Sequence, residues 1–209
     1  MAEEANKGLV ALLVAAIIVS IAGTLVSLNK LNQLGALTGF ATTQQGKVNF
    51  TVSSQVSITL TDNLVDFGTC DINNTATLYY ESNETYSASP SCSGLTTAAD
   101  YMVLENNGNV NVSVTLQSNK DEETFINAPS STEDQFAFMA WNDEANSCGS
   151  GLPTKWVNIT AAATPYTVCS NLDFEDPSDS IKIAFRIGLP PDTVPETKEA
   201  TITFTASQA

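Results

Sequence analysis

The chain of 209 residues has no histidine, and its 8 Lys and Arg are outnumbered by 23 Asp and Glu, for a net charge of −15. Without His, Ser-His-Asp and Cys-His nucleophile arrangements cannot be built within one chain, and His-containing metal sites are excluded. G-x-S-x-G, P-loop and G-x-G-x-x-G stretches are missing too. Carboxylates are then the main reactive groups left, and the expectation is a protein that is not an enzyme and uses no cofactor. Scarce Lys and Arg argue against a nucleic-acid partner, because phosphate binding needs cations. The surplus acid suits a soluble, self-repelling exterior.

What the chain does have is one long uncharged apolar run, Leu9–Leu28, in the stretch "NKGLVALLVAAIIVSIAGTLVSLNKL". As a helix it spans about 30 Å, the thickness of a bilayer's hydrocarbon core. A cleaved secretory signal has a shorter apolar region and a small-x-small site close behind it. Here such a site comes only at Gly39-Phe40-Ala41. Leu25, Leu28, Leu31, Leu34 and Leu37 extend one helical face beyond the run, with Asn29, Lys30, Asn32 and Gln33 between them. The expected segments are a leader at 1–8, a helix at 9–37 and a linker at 38–46. Small residues four apart, Ala16–Ser20–Thr24 and Gly23–Ser27, would let copies of the helix approach closely.

The layout around Lys7-Gly8-Leu9 resembles archaeal type IV pilin-like and archaellin-like subunits. In those families a short leader ends at Lys/Arg-Gly or Lys/Arg-Ala, and a prepilin-type peptidase cuts before the apolar helix. The fifth residue of such a mature chain would be Leu13, where bacterial pilins carry Glu. The resemblance covers the first fifth of the chain. It implies a helix that waits in the membrane, then packs with copies of itself in a filament core handled by an assembly machinery, while a β-rich domain faces outward.

Residues 47–209 read as all-β. Val48, Phe50, Val52, Val56, Ile58 and Leu60 share one phase of a period-two pattern, broken at Ser54, which predicts one long bent strand or two. "DYMVLEN" leads through Asn107-Gly108 into "NVNVSVTL", which predicts a hairpin. "QFAFMAW", "KWVNIT", "YTVC", "IKIAFRI" and "ATITFTA" are further strands, and no helical period appears among them. Many short strands joined by turns predict an antiparallel sandwich or barrel. "ENNGNVNVSVTL" and the closing "GLPPDTVPETKEATITFTA" resemble extracellular immunoglobulin-like sandwich modules, which bears on fold and says little about activity.

Cys70, Cys92, Cys148 and Cys169 form no C-x-x-C. Three disulfide pairings are open to them. Joining neighbours, Cys70–Cys92 and Cys148–Cys169, closes two loops of similar length, each bond adding about 3 kcal/mol by restricting the unfolded chain. Oxidised cysteines place the domain outside the cytoplasm. N-x-S/T glycan acceptors stand at Asn49, Asn73, Asn83, Asn111 and Asn158, all beyond the apolar run. "NLDFEDPSDS" gathers Asp173, Glu175, Asp176 and Asp179, an oxygen-rich loop without EF-hand spacing and a weak calcium candidate; Asp143 and Glu144 form a lesser acidic pair.

Two functional readings follow. One is a structural subunit of a cell-surface, extracellular pilus- or archaellum-like filament, homo-oligomeric through its helix and membrane-inserted before assembly. The other is a single-span membrane-anchored cell-surface protein whose β-sandwich binds a ligand or a neighbouring cell, with Trp141, Trp156, Tyr79, Tyr80 or Tyr86 lining the binding face. A secreted β-rich matrix fibre that exchanges strands between subunits is a third reading, and it requires loss of the whole helix.

Overall fold

The structure is a computed structural model in which residues 2–35, 47, 49–132 and 134–209 are described. It divides into two units, Met1–Thr51 and Val52–Ala209. The expected linker at 38–46 and Leu37 lie outside the described residues.

The first unit contains helix α1, Ala2–Gly35. No proline interrupts it, and Ala, Leu, Ile and Val fill its centre. The stretch Lys7–Lys30 is long and apolar enough to cross a membrane. Its large apolar side chains point outward all round; Leu12 is 73% exposed. A helix apolar on every side finds its solvent in lipid or in other helices. The helix also runs unbroken through Lys7, Gly8 and Leu9, so the expected leader is its first two turns.

The second unit is an N-terminal helix's partner in sequence and an antiparallel β-sandwich in structure. One sheet has the order β1 (Ile58–Asp62), β3 (Met102–Asn106), β8 (Ser180–Leu189), β5 (Phe136–Asn142), β6 (Val157–Asn158), with β2 (Leu78–Glu81) also pairing β8. β3 takes the first half of β8 and β2 the second half, so two short strands share one edge of a long one. The other sheet has the order β7 (Tyr166–Leu172), β4 (Val112–Ser118), β9 (Ile202–Gln208).

The core lies between the sheets, and strand alternation builds it. Val112, Val114 and Leu116 of β4 are fully buried, facing Leu104, Phe138, Ile181 and Ile183 of the larger sheet. Burying each such side chain contributes about 1.5–3 kcal/mol. Phe136 packs on Phe125 with ring centres 4.5 Å apart. Phe125 belongs to α2 (Glu122–Ile126), one turn capped by the Asp121 carboxylate, which accepts from the Thr124 N–H at 2.9 Å. This helix and β2 are absent from the sequence-based expectations: α2 is too short to show a helical period, and "LYYE" too short to show alternation.

The hairpin expected at Asn107-Gly108 does not form. β3 and β4 lie in different sheets, because β1 and β8 occupy both edges of β3. The turn is instead a crossover organised by Asn106, which is buried. Its Nδ2 donates to the carbonyls of Val110, Leu172 and Asp173 at 3.0, 3.3 and 2.9 Å, and its Oδ1 accepts from the Gly108 N–H at 3.1 Å. One side chain of the larger sheet thus holds the backbone where β7, in the smaller sheet, ends. Gly108 has no Cβ because Gln55 O presses against it.

The strand expected from Val48 to Leu60 is also shorter than its pattern. Val48 lies outside the described residues, and among the described ones Ile58–Asp62 alone pairs. Residues 49–57 are irregular, and Phe50 and Val52 remain 85% and 71% exposed.

Disulfides join Cys70 to Cys92 and Cys148 to Cys169. The first stitches two segments with little regular structure. Around it Asp71 N–H donates to Ser91 O and Ser93 N–H to Thr69 O, both at 2.9 Å, and the Asp71 carboxylate accepts from Ser89 Oγ and Ser91 N–H. The second joins the loop after β5 to β7, and so links the two sheets. Cys92, Cys148 and Cys169 are buried in the core, and the two bonds span sequence separations of 22 and 21, loops whose restriction in the unfolded chain contributes about 3 kcal/mol each.

Candidate functional sites

On α1 the small residues Ala16, Ser20, Gly23, Thr24 and Ser27 fall on one helical face by their spacing of three and four. The hydroxyls do not stand unsatisfied. Thr24 Oγ1 donates to Ser20 O at 2.8 Å and Ser27 Oγ to Gly23 O at 2.9 Å. Bonding back to the preceding turn hides their polarity, which makes the face compatible with hydrocarbon. Nothing lies within 4 Å of the place where a Cβ on Gly23 would stand. The face is therefore narrow, apolar in effect and open to a second helix.

The outer face of the larger sheet carries a second arrangement. Cross-strand pairing sets Glu81 beside Arg186, Ala137 beside Arg186 and Trp141 beside Lys182. The Arg186 guanidinium lies 5.3 Å from the ring centres of both Tyr79 and Trp156. It donates to Asp134 O at 3.1 Å, and Tyr79 Oη donates to the Asp134 carboxylate at 2.7 Å. Hydrogen bonds from Thr132 and Tyr79 hold Asp134 below the usual carboxylate range. Further along, Trp141 meets Tyr101 edge-on at 5.2 Å, with Lys182 over the Tyr101 ring at 5.5 Å and paired to Asp143 at 2.6 Å. Tyr80 and Tyr86 stand apart from this face. Tyr80 is fully buried, Tyr86 packs against it at 5.2 Å, and Tyr86 Oη accepts from Glu81 N–H. Of the five aromatics named from sequence, Tyr79, Trp141 and Trp156 are thus outward and the other two belong to the core.

The acidic loop does not converge on a point. Asp173 Oδ1 accepts from the N–H groups of Phe174 and Glu175, closing its own turn. Glu175 and Asp176 are exposed. Asp179 turns inward, is 8% exposed and donates its backbone N–H to Glu144 Oε2 at 3.1 Å. Burial, and then the Glu144 charge, push its carboxyl up to about 6. Among the described residues no three acidic side chains are grouped to hold a metal ion.

The five glycan acceptors differ in access. Asn49 is exposed, and the other four are partly covered. Asn73 Oδ1 accepts from the Thr75 N–H and hydroxyl at 2.8 and 2.7 Å, which fixes that sequon in a compact turn. Asn83 turns its Nδ2, the atom a glycan would occupy, toward Met139 Sδ at 4.0 Å, while its Oδ1 has no partner.

No family model and no curated protein matches this chain.

Proposed function

We propose that the chain is a structural subunit of an extracellular pilus- or archaellum-like filament, assembled by packing of α1 into a common core. The observation that carries this reading is the helix: apolar all round over Leu9–Leu28, with a small-residue face whose hydroxyls are satisfied internally. In lipid such a helix is stable alone. Outside lipid its surface has to be covered, and copies of itself are the supply that scales with the number of subunits. The disulfide-linked β-sandwich would form the outer sheath, and sequon glycans would add to it. Leader removal between Gly8 and Leu9 by a prepilin-type peptidase would free the helix for assembly.

The test is the N-terminus of surface-assembled protein by mass spectrometry, with electron microscopy of the same preparation. Filaments whose subunits begin at Leu9 are expected. Subunits that retain Ala2–Lys7, in protein found only as dispersed membrane monomers, would defeat this reading.

One observation favours a membrane-anchored binding protein instead. Arg186 between Tyr79 and Trp156 makes a cationic-aromatic surface, the chemistry that holds an anionic or oxygen-rich ligand.

A further inference from the structure

β9 is an edge strand: its sheet ends with it, and β4 lies on its other side. Asn119 N–H donates to Thr201 O and Ala209 N–H donates to Asn111 O, so the odd-numbered residues direct their backbone groups to β4. The even-numbered residues Ile202, Phe204 and Ala206 then aim theirs at the open side. Edge strands are usually protected by Pro, by charge or by a covering loop. "ITFTASQ" has no Pro and no charge. Ile202, Phe204 and Ala206 pack against the core yet remain partly exposed. Beside Ile202 opens a cavity of about 990 Å³ between the sheets, lined by Leu60, Met102, Phe125, Phe185 and Ile187 among others. A row of open backbone groups and an apolar slot are what an added strand requires.

The chain holds a segment of that kind. Residues 49–56, "NFTVSSQV", place Phe50, Val52 and Val56 on one face in strand period, and all three are exposed. The segment has no acidic residue and follows Lys47, in a chain of 23 acids. The charged residues lining the slot are Asp66, Glu196, Lys198 and Glu199, a net negative rim. Most surfaces of this chain repel a second copy, and this pair attracts. Within one molecule the base of the segment is fixed elsewhere. Asn109 receives Gln55 N–H on its Oδ1 at 2.6 Å, its N–H donates to Gln55 O at 3.0 Å, and its Nδ2 donates to Ser53 O at 3.0 Å.

We propose that residues 49–56 of one copy add as a strand along β9 of a second copy, with Phe50 and Val52 entering the slot beside Ile202. This deepens the filament reading by giving the outer domains their own contact, and it does not depend on helix packing. The β1 edge is the poorer acceptor, since it ends in Asp62.

The probe is a synthetic peptide of residues 47–57 carrying Thr51→Cys, incubated with full-length Thr203→Cys protein in detergent and joined by a short bismaleimide. Both substituted side chains face away from the slot, and the described cysteines are all in disulfides. Linked product is expected, reduced at least about tenfold when the peptide carries Phe50→Asp and Val52→Asp. The same linkage is expected between full-length Thr51→Cys and Thr203→Cys chains mixed together. Absence of linkage in both formats would overturn the proposal. So would equal linkage by the Asp peptide, or a chain carrying both cysteines that links only within itself at high dilution. Because the peptide has no helix, failure here leaves helix-driven filaments untouched, and loss of filaments leaves this contact untouched.

Discussion

Replacing Asn106 with Leu isolates what one polar side chain contributes to holding the sandwich together. Two Nδ2 hydrogens serve three carbonyls, and Oδ1 serves one N–H, so about three good hydrogen bonds are lost at a buried position. Each is worth about 1–1.5 kcal/mol, and the partner groups left without water cost more. Leu is of similar size and recovers about 1 kcal/mol by burying carbon. The expected net loss is about 3 kcal/mol, a large share of the roughly 5–15 kcal/mol that stabilises a domain. Urea unfolding of the full chain in detergent reports this, because both tryptophans, Trp141 and Trp156, lie in the β-domain. At a urea dependence of about 2 kcal/mol per molar, the midpoint falls by about 1.5 M. Asn106→Asp sharpens the test: a carboxylate would face three carbonyl oxygens, so it should destabilise more than Leu at neutral pH and recover in acid, where a protonated carboxyl donates again. A loss below about 1 kcal/mol for Asn106→Leu, with no acid recovery for Asn106→Asp, would refute the bridging role.

Asp179 predicts a pH dependence. Its folded-state value of about 6 lies above that of a free Asp, so ionising it costs stability. That cost is absent below about pH 4, grows between about pH 4 and 6 and is constant above, reaching at most about 3 kcal/mol. Asp179→Asn should raise neutral-pH stability and flatten that part of the profile in urea titrations from pH 4 to 7; identical slopes in the two proteins would sink the assignment. On the helix, Gly23→Leu should leave the β-domain's unfolding unchanged and favour α1 by about 1 kcal/mol. Filaments should nonetheless become scarce by electron microscopy, and filaments of normal number and width would remove Gly23 from the contact.

Alternation in the sequence located β4, β5, β8 and β9 to within a few residues, because each buries one face of a long enough run. Pairing neighbouring cysteines matched both disulfides, and the uncharged run Leu9–Leu28 located the membrane-length helix. Alternation failed where the outcome depends on a distant partner. Asn107-Gly108 has hairpin chemistry, but β8 competes for β3 from 75 to 81 residues away in sequence and wins, and only Asn106 in its place between the sheets reveals the crossover. Phe50–Val56 has strand chemistry and no strand partner among the described residues, so alternation there marks a capacity that the single molecule leaves unused. The outward face was half legible. Trp156 read as a candidate for the binding face, and it lies over Arg186 there, but no spacing rule ties Tyr79, Asp134 and Arg186 together, since the three come from separate elements.

The position of β4 sets the order in which this domain can be completed during synthesis. β4 is the middle strand of its sheet, and Thr115 meets Thr205 across 90 residues of chain. In a chain made from its N-terminus, β4 follows β1, β2 and β3, and its partner β9 comes after all the other named strands. Closing so long a loop is entropically slow. Until then Val112, Val114 and Leu116 have a sheet edge beside them that nothing covers. A partly made sandwich therefore exposes these side chains, and the net charge of −15 that keeps one chain away from the next protects it during that interval.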